Sequence, residues 1–111
     1  MNGYVYLLTN PYLPNICKIG KTTRSIDCRL SELYNTSIPR PYTVVLLFEV
    51  DNCHKLEHYI HRKCSYLRIN RKREFFIFDD IHDVEYYKQI FIESINKFEP
   101  TVSPYFNESC L

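Results

Sequence analysis

At 111 residues the chain is long enough for one hydrophobic core and too short for two. An apolar content of 45%, with ten tyrosines and seven phenylalanines, excludes a disordered polypeptide, and no apolar run approaches the roughly 18 residues of a membrane span. The net charge of +1 hides an asymmetry: Lys18 to Arg73 carries twelve Lys or Arg against five Asp or Glu, whereas Glu74 to Leu111 carries two against eight. A basic first two-thirds suggests a surface for a polyanion, with an acidic remainder covering another face.

Tyr4 to Thr9 and Ile16 to Gly20 are short β-forming runs separated by Pro11 and Pro14, which reads as a hairpin. From Ser25, apolar residues recur at Ile26, Leu30, Leu33 and Tyr34, the spacing of one helical stripe, with Arg29 on its border. Pro39 and Pro41 mark a loop. Tyr42 to Val50 is a nearly continuous apolar run that predicts the buried central strand. Asp51 or Asn52 can cap the next helix, whose seam is Cys53, Leu56, Ile60, Cys64 and Leu67, with Glu57 and His61 stacked on its flank. A basic loop of Arg68, Arg71, Lys72 and Arg73 leads to a short aromatic strand, Glu74 to Phe78. Asp79 or Asp80 then caps a last helix reaching about Phe98. The expected fold is α/β of the α+β kind: one small mixed or antiparallel sheet with flanking helices, order ββαβαβα, over residues 1–98. Residues 99–111 are expected to form a loosely held tail.

There is no leader of basic then apolar residues, so a soluble, intracellular protein that does not enter a membrane is expected. Five cysteines without a CxxC fit reduced thiols. Cys53, His58, His61 and Cys64 have ligand-type side chains. Eleven residues of helix rise about 16 Å, however, and four ligands spread that far do not converge on one zinc ion. No phosphate-cradling glycine loop or serine-hydrolase motif is present, and no small-molecule cofactor is expected.

Cutting a phosphodiester requires an activated water, stabilisation of charge on the crowded phosphate, and usually a divalent cation. Tyr6 offers proton handling, Arg29 a bidentate phosphate contact and Glu57 a hard-cation ligand, with Lys18 or Lys21 as a charge to favour the Tyr6 phenolate. Singly, each has a structural explanation: Tyr6 as core packing, Arg29 as partner of Glu32, Glu57 with His61 as a helix-surface hydrogen bond.

Together the motifs resemble the GIY-YIG endonuclease superfamily, in particular its branch from phages and large DNA viruses. They are Gly3-Tyr4-Val5-Tyr6-Leu7-Leu8, Lys18-Ile19-Gly20-Lys21-Thr22, Arg29-Leu30-Ser31-Glu32-Leu33, Leu56-Glu57-His58-Tyr59-Ile60-His61 and Arg73-Glu74-Phe75-Phe76, in order between residues 3 and 79. The resemblance implies a DNA endonuclease in which Tyr6 acts as or beside the general base, Arg29 contacts the scissile phosphate and Glu57 binds one divalent metal, Mg²⁺ or Mn²⁺. It puts Gly20 at a close approach, Lys18 where many relatives carry a second tyrosine, and His61 and Glu74 in support of Glu57 and the basic loop. Lys18, Lys21, Arg24, Arg68, Arg71, Lys72 and Arg73 are the expected DNA contacts. A non-catalytic nucleic-acid-binding module of the same fold, and an interaction domain using the acidic last helix, are the alternatives. Oligomeric state is left open.

Overall fold

The computed structural model describes residues 2–35, 37–70, 73–99 and 105–106. The element order is β1 Gly3–Thr9, β2 Ile16–Thr22, α1 Ile26–Leu33, β3 Thr43–Val50, α2 Cys53–Lys63, β4 Phe75–Ile77, α3 Val84–Phe98 and β5 Tyr105–Phe106. A single 3-10 turn, Ser65–Leu67, follows α2. The strands form one antiparallel sheet in the order β4-β2-β1-β3-β5, so the expected small α+β architecture is what the chain adopts.

The central strand is β1, not β3 as expected. β1 pairs along its length with β2 on one side and β3 on the other, and Val5 to Leu8 are completely buried. β3 reads as more apolar because it carries a bulge. The β1–β3 register shifts between Leu7 and Leu8, so Val45 and Leu46 both enter the same core and the alternation of inward and outward residues is broken. The tail expected after residue 98 contributes β5, which pairs with Phe48 and Glu49; residues 100–104 and 107–111 of that stretch lie outside the described residues.

Side chains alternate across the strands and build two cores. On the back face, Val5, Leu7, Cys17, Ile19 and Phe48 meet the α2 seam of Cys53, Leu56, Ile60 and Cys64 and the α3 residues Tyr87, Phe91 and Ile95. On the front face, Tyr6, Leu8, Val44 and Leu47 meet Ile26, Leu30 and Leu33 of α1. Cys17, Cys28, Cys53 and Cys64 are free thiols; Cys110 lies outside the described residues.

The helix starts follow capping chemistry. Ser25 accepts the backbone N–H of Cys28 at 3.2 Å, and Asn52 that of Lys55 at 3.1 Å. The last helix starts later than expected. Asp79 closes its own turn by accepting the backbone N–H groups of Ile81 and His82 at 3.0 and 2.7 Å, leaving Asp83 to cap α3 through Tyr86 at 3.1 Å. The Tyr87 hydroxyl donates to the Ile77 carbonyl and ties α3 to β4. No helix among the described residues is long and apolar enough to cross a membrane.

Candidate active site

The site forms where β4 ends. The β2–β4 ladder stops at the pair Lys18 and Phe75, extended by one bond from the Ile19 N–H to the Glu74 carbonyl at 3.0 Å. The Ile19 carbonyl, on the same edge, is taken by the buried His61, whose Nε2 donates at 2.8 Å. A carbonyl only accepts, so Nε2 carries a proton and Nδ1 is the nitrogen left to face a ligand.

Tyr6 stands opposite Gly20 in the β1–β2 register. A Cβ at Gly20 would lie 2.6 Å from the Tyr6 hydroxyl oxygen and 2.8 Å from Cζ, so the missing side chain is what lets the phenol lie across β2 toward its open edge. Gly20 does not have a positive φ; the requirement is space. There the hydroxyl accepts a 3.0 Å hydrogen bond from Nε of Arg29, one turn into α1. Burial pushes the Tyr6 phenol above its ordinary pKa, and the Arg29 bond and charge draw it part of the way back. The same bond holds Arg29 charged.

Helix α2 brings Glu57 to this edge from the back face. Its carboxyl is raised above the usual range, chiefly by burial and also by Glu74, while His61, Lys21 and His54 pull it down. Its Oε2 is buried with no hydrogen-bond partner among the described residues. Tyr6 and Arg29 both feel the charges of Glu57 and Glu74, so the two faces meet electrostatically.

Two neighbouring clefts flank the edge. The first, about 290 Å³, is lined by Lys21, Thr22, Arg24, Arg29, Glu32 and His54. The second, about 370 Å³, is lined by Glu57, His58, His61, Arg62, Arg68 and Glu74. In the first, Arg24 pairs with Glu32, which also meets Arg29 Nη1 at 3.5 Å. In the second, Arg68 donates through Nε to the Arg73 carbonyl at 2.8 Å and covers the Phe76 ring.

The sequence pattern of one family matches residues 3–95, which contain this whole arrangement. The chain belongs to the T5orf172 domain family. That is a family of phage-associated, nuclease-like domains. No curated protein and no solved structure matches the chain.

In this T5orf172 domain the expected residues divide into three groups. Tyr6 with Arg29, and Glu57 with His61, come to the edge of β2, and Lys21 joins them through its charge. Lys18 does not serve as the cation beside Tyr6. It is bonded to Glu74 at 3.1 Å and lies over the Phe75 ring, so Arg29 is the cation that touches the phenol. Arg73 is exposed beside Arg68, while Arg71 and Lys72 lie outside the described residues. Sequence reasoning passed over His54, which stands three residues before Glu57 and therefore on the same flank of α2. Of the zinc-type side chains, Cys53 and Cys64 are in the core and His58 is exposed. Among the described residues, no three His, Cys, Asp or Glu side chains converge on one metal position.

Proposed function

We propose that this T5orf172 domain is a metal-dependent endonuclease of the GIY-YIG type that hydrolyses DNA phosphodiester bonds. The observation that carries the reading is the Tyr6–Arg29 hydrogen bond at the open edge of β2, electrostatically linked to the half-buried carboxylate of Glu57. Phosphate, attacking water and proton acceptor would meet at that edge.

Each side chain has a task that its surroundings suit. Arg29 spends Nε on Tyr6 and presents its remaining N–H groups to the first cleft, where a phosphate would compete with Glu32 for them. Tyr6 rests as the phenol. To take a proton from the attacking water it would first release its own to solvent, and the Arg29 N–H that its oxygen already accepts favours the phenolate so formed. His61, fixed through Nε2 to the sheet, lines the second cleft with Glu57.

Glu57 fits a hard divalent cation: it is a carboxylate with a buried oxygen that has no hydrogen-bond partner among the described residues, in a cleft it shares with His61 and Glu74. One or two carboxylates completed by water and phosphate oxygens are the usual Mg²⁺ environment. Bound there, Mg²⁺ or Mn²⁺ would supply Lewis-acid stabilisation of charge on the scissile phosphate.

The test is nicking of supercoiled plasmid in Mg²⁺ or Mn²⁺ by wild type and by Tyr6→Phe, Arg29→Ala and Glu57→Ala, each checked for folding. Each substitution should lower the rate by roughly 100-fold or more. Equal nicking by wild type and Glu57→Ala would sink the assignment. One observation favours a second reading, a nucleic-acid-binding module without cleavage: Lys18 is engaged by Glu74, so the second motif brings no further group to Tyr6. DNA binding without nicking would select it.

A further inference from the structure

The solvent side of α2 continues away from Glu57 into a cluster of positive charge that the cleavage chemistry leaves unused. Tyr59 is its centre. The cationic groups of Arg62, Lys63 and Lys97 lie 5.8, 6.0 and 5.7 Å from the Tyr59 ring centroid. Phe98 meets Tyr59 edge-on at 5.0 Å, and the Lys55 ammonium lies 4.4 Å over the Phe98 ring. The aromatic rings hold the stems and orient the charges.

None of these four cations belongs to an ion pair among the described residues. The nearby acids are turned elsewhere: Glu93 accepts from Gln89 at 3.1 Å, and Glu99 from the Asp51 backbone N–H at 2.9 Å. Four like charges gathered with no ion pair among the described residues raise the local potential and invite a polyanion. Two further features define which. Arg62 lies over Tyr59 and also lines the cleft with Glu57 and His61, so one arginine joins the cluster to the candidate site. From Lys55 to Lys63 the helix rises about 12 Å, comparable to the axial rise of about three base-pair steps of a duplex at about 3.4 Å each.

We infer that Lys55, Arg62, Lys63 and Lys97, carried on Tyr59 and Phe98, form a second nucleic-acid contact that holds the phosphate backbone of DNA flanking the site. The contact is sequence-independent and requires that nucleic acid bind, not that it be cut. The edge of β2 receives the phosphate to be attacked. The α2 ridge receives its neighbours and fixes the direction in which the strand leaves.

The test measures binding of a fluorescent duplex of about 20 base pairs by anisotropy across a salt series, in EDTA so that cleavage plays no part. The triple variant Lys55→Gln, Lys63→Gln, Lys97→Gln should flatten the slope of log affinity against log salt by about 2 to 3. Triple Lys→Arg should keep the wild-type slope, separating lost charge from lost packing. Arg40→Gln, on the exposed loop after α1, controls for a charge removed elsewhere. An unchanged slope in the Gln variant overturns the inference, as does absence of duplex binding by wild type. Loss of self-association in the Gln variant with DNA affinity retained would also overturn it, assigning the ridge to the acidic face of a second copy. Loss of nicking in Glu57→Ala with this binding intact would leave the ridge standing and concern the active site alone.

Discussion

The two faces of the sheet are built to different depths. The back face packs two helices, each with four buried residues, over a continuous apolar core. The front face carries α1, which buries no residue fully and covers a far smaller cluster. The deep face fixes the strands, and the shallow face keeps Arg29 half-exposed while Tyr6 beneath it is fully buried. The phosphate contact proposed for Arg29 needs a guanidinium that reaches solvent, and a thin layer over the sheet allows that while the side chain still holds the buried phenol.

The largest effect should come from the back. Phe91→Ala removes a fully buried ring that packs on Phe48 at 5.7 Å between centroids, and should cost about 3–5 kcal/mol. Leu30→Ala, on half-buried α1, should cost about 1 kcal/mol or less. Urea unfolding of both variants checks the comparison. Equal losses would mean that the front face contributes as much to stability as the back.

Gly20→Ala is expected to fall between these in stability and to be severe in function. The added Cβ would meet the Tyr6 side chain within 3 Å, and β2 is held there by its ladder to β1 and by the bonds of Ile19 to Glu74 and His61, so the ring must give way. Overpacking of this kind costs about 1–3 kcal/mol. Displacing Tyr6 breaks its bond to Arg29, so nicking should fall about as far as in Tyr6→Phe, even where the variant remains folded. Full nicking by Gly20→Ala would show that the Tyr6–Arg29 contact is dispensable.

The back face was far more legible in the sequence than the site. The seam Cys53, Leu56, Ile60, Cys64, Leu67 is a local periodicity, and all five residues are buried as read. The Ser25 and Asn52 caps are likewise local signals. Strand order is not local. β1 is central because β2 and β3, each with a further strand outside it, pair on its two flanks, which no property of Tyr4 to Thr9 announces. The same holds for Lys18, whose engagement with Glu74 depends on β4 folding back beside β2. The start of α3 was read at Asp79 or Asp80 and lies at Asp83, because an aspartate can close a turn as readily as cap a helix and only the turn from Asp79 to His82 decides which it does. Tyr6, Arg29 and Glu57 drew attention through five motifs in order, whereas His54 belonged to no motif and needed the helix flank to be seen.

The smallest effect separates the half-buried carboxylate from the core around it. Glu57 has a folded-state pKa raised above its unfolded value, mainly by burial. As pH rises through the ordinary carboxylate range, the unfolded chain releases this proton first, so the folded state holds more protons and loses stability. The loss is complete once pH passes the raised folded value. Glu57→Gln has no proton to release there. In EDTA, its stability relative to wild type should therefore be greater near about pH 7 than near about pH 4. Urea midpoints at the two pH values give the difference, and a pH-independent difference would mean that burial does not penalise the charge. Mg²⁺ sharpens the result. A cation bound at Glu57 stabilises the folded wild type by about 2.7 kcal/mol at about 100 times its Kd and should leave Glu57→Gln nearly unmoved. Equal stabilisation of both proteins would place the cation elsewhere and leave Glu57 as a half-buried charge on the flank of a structural helix.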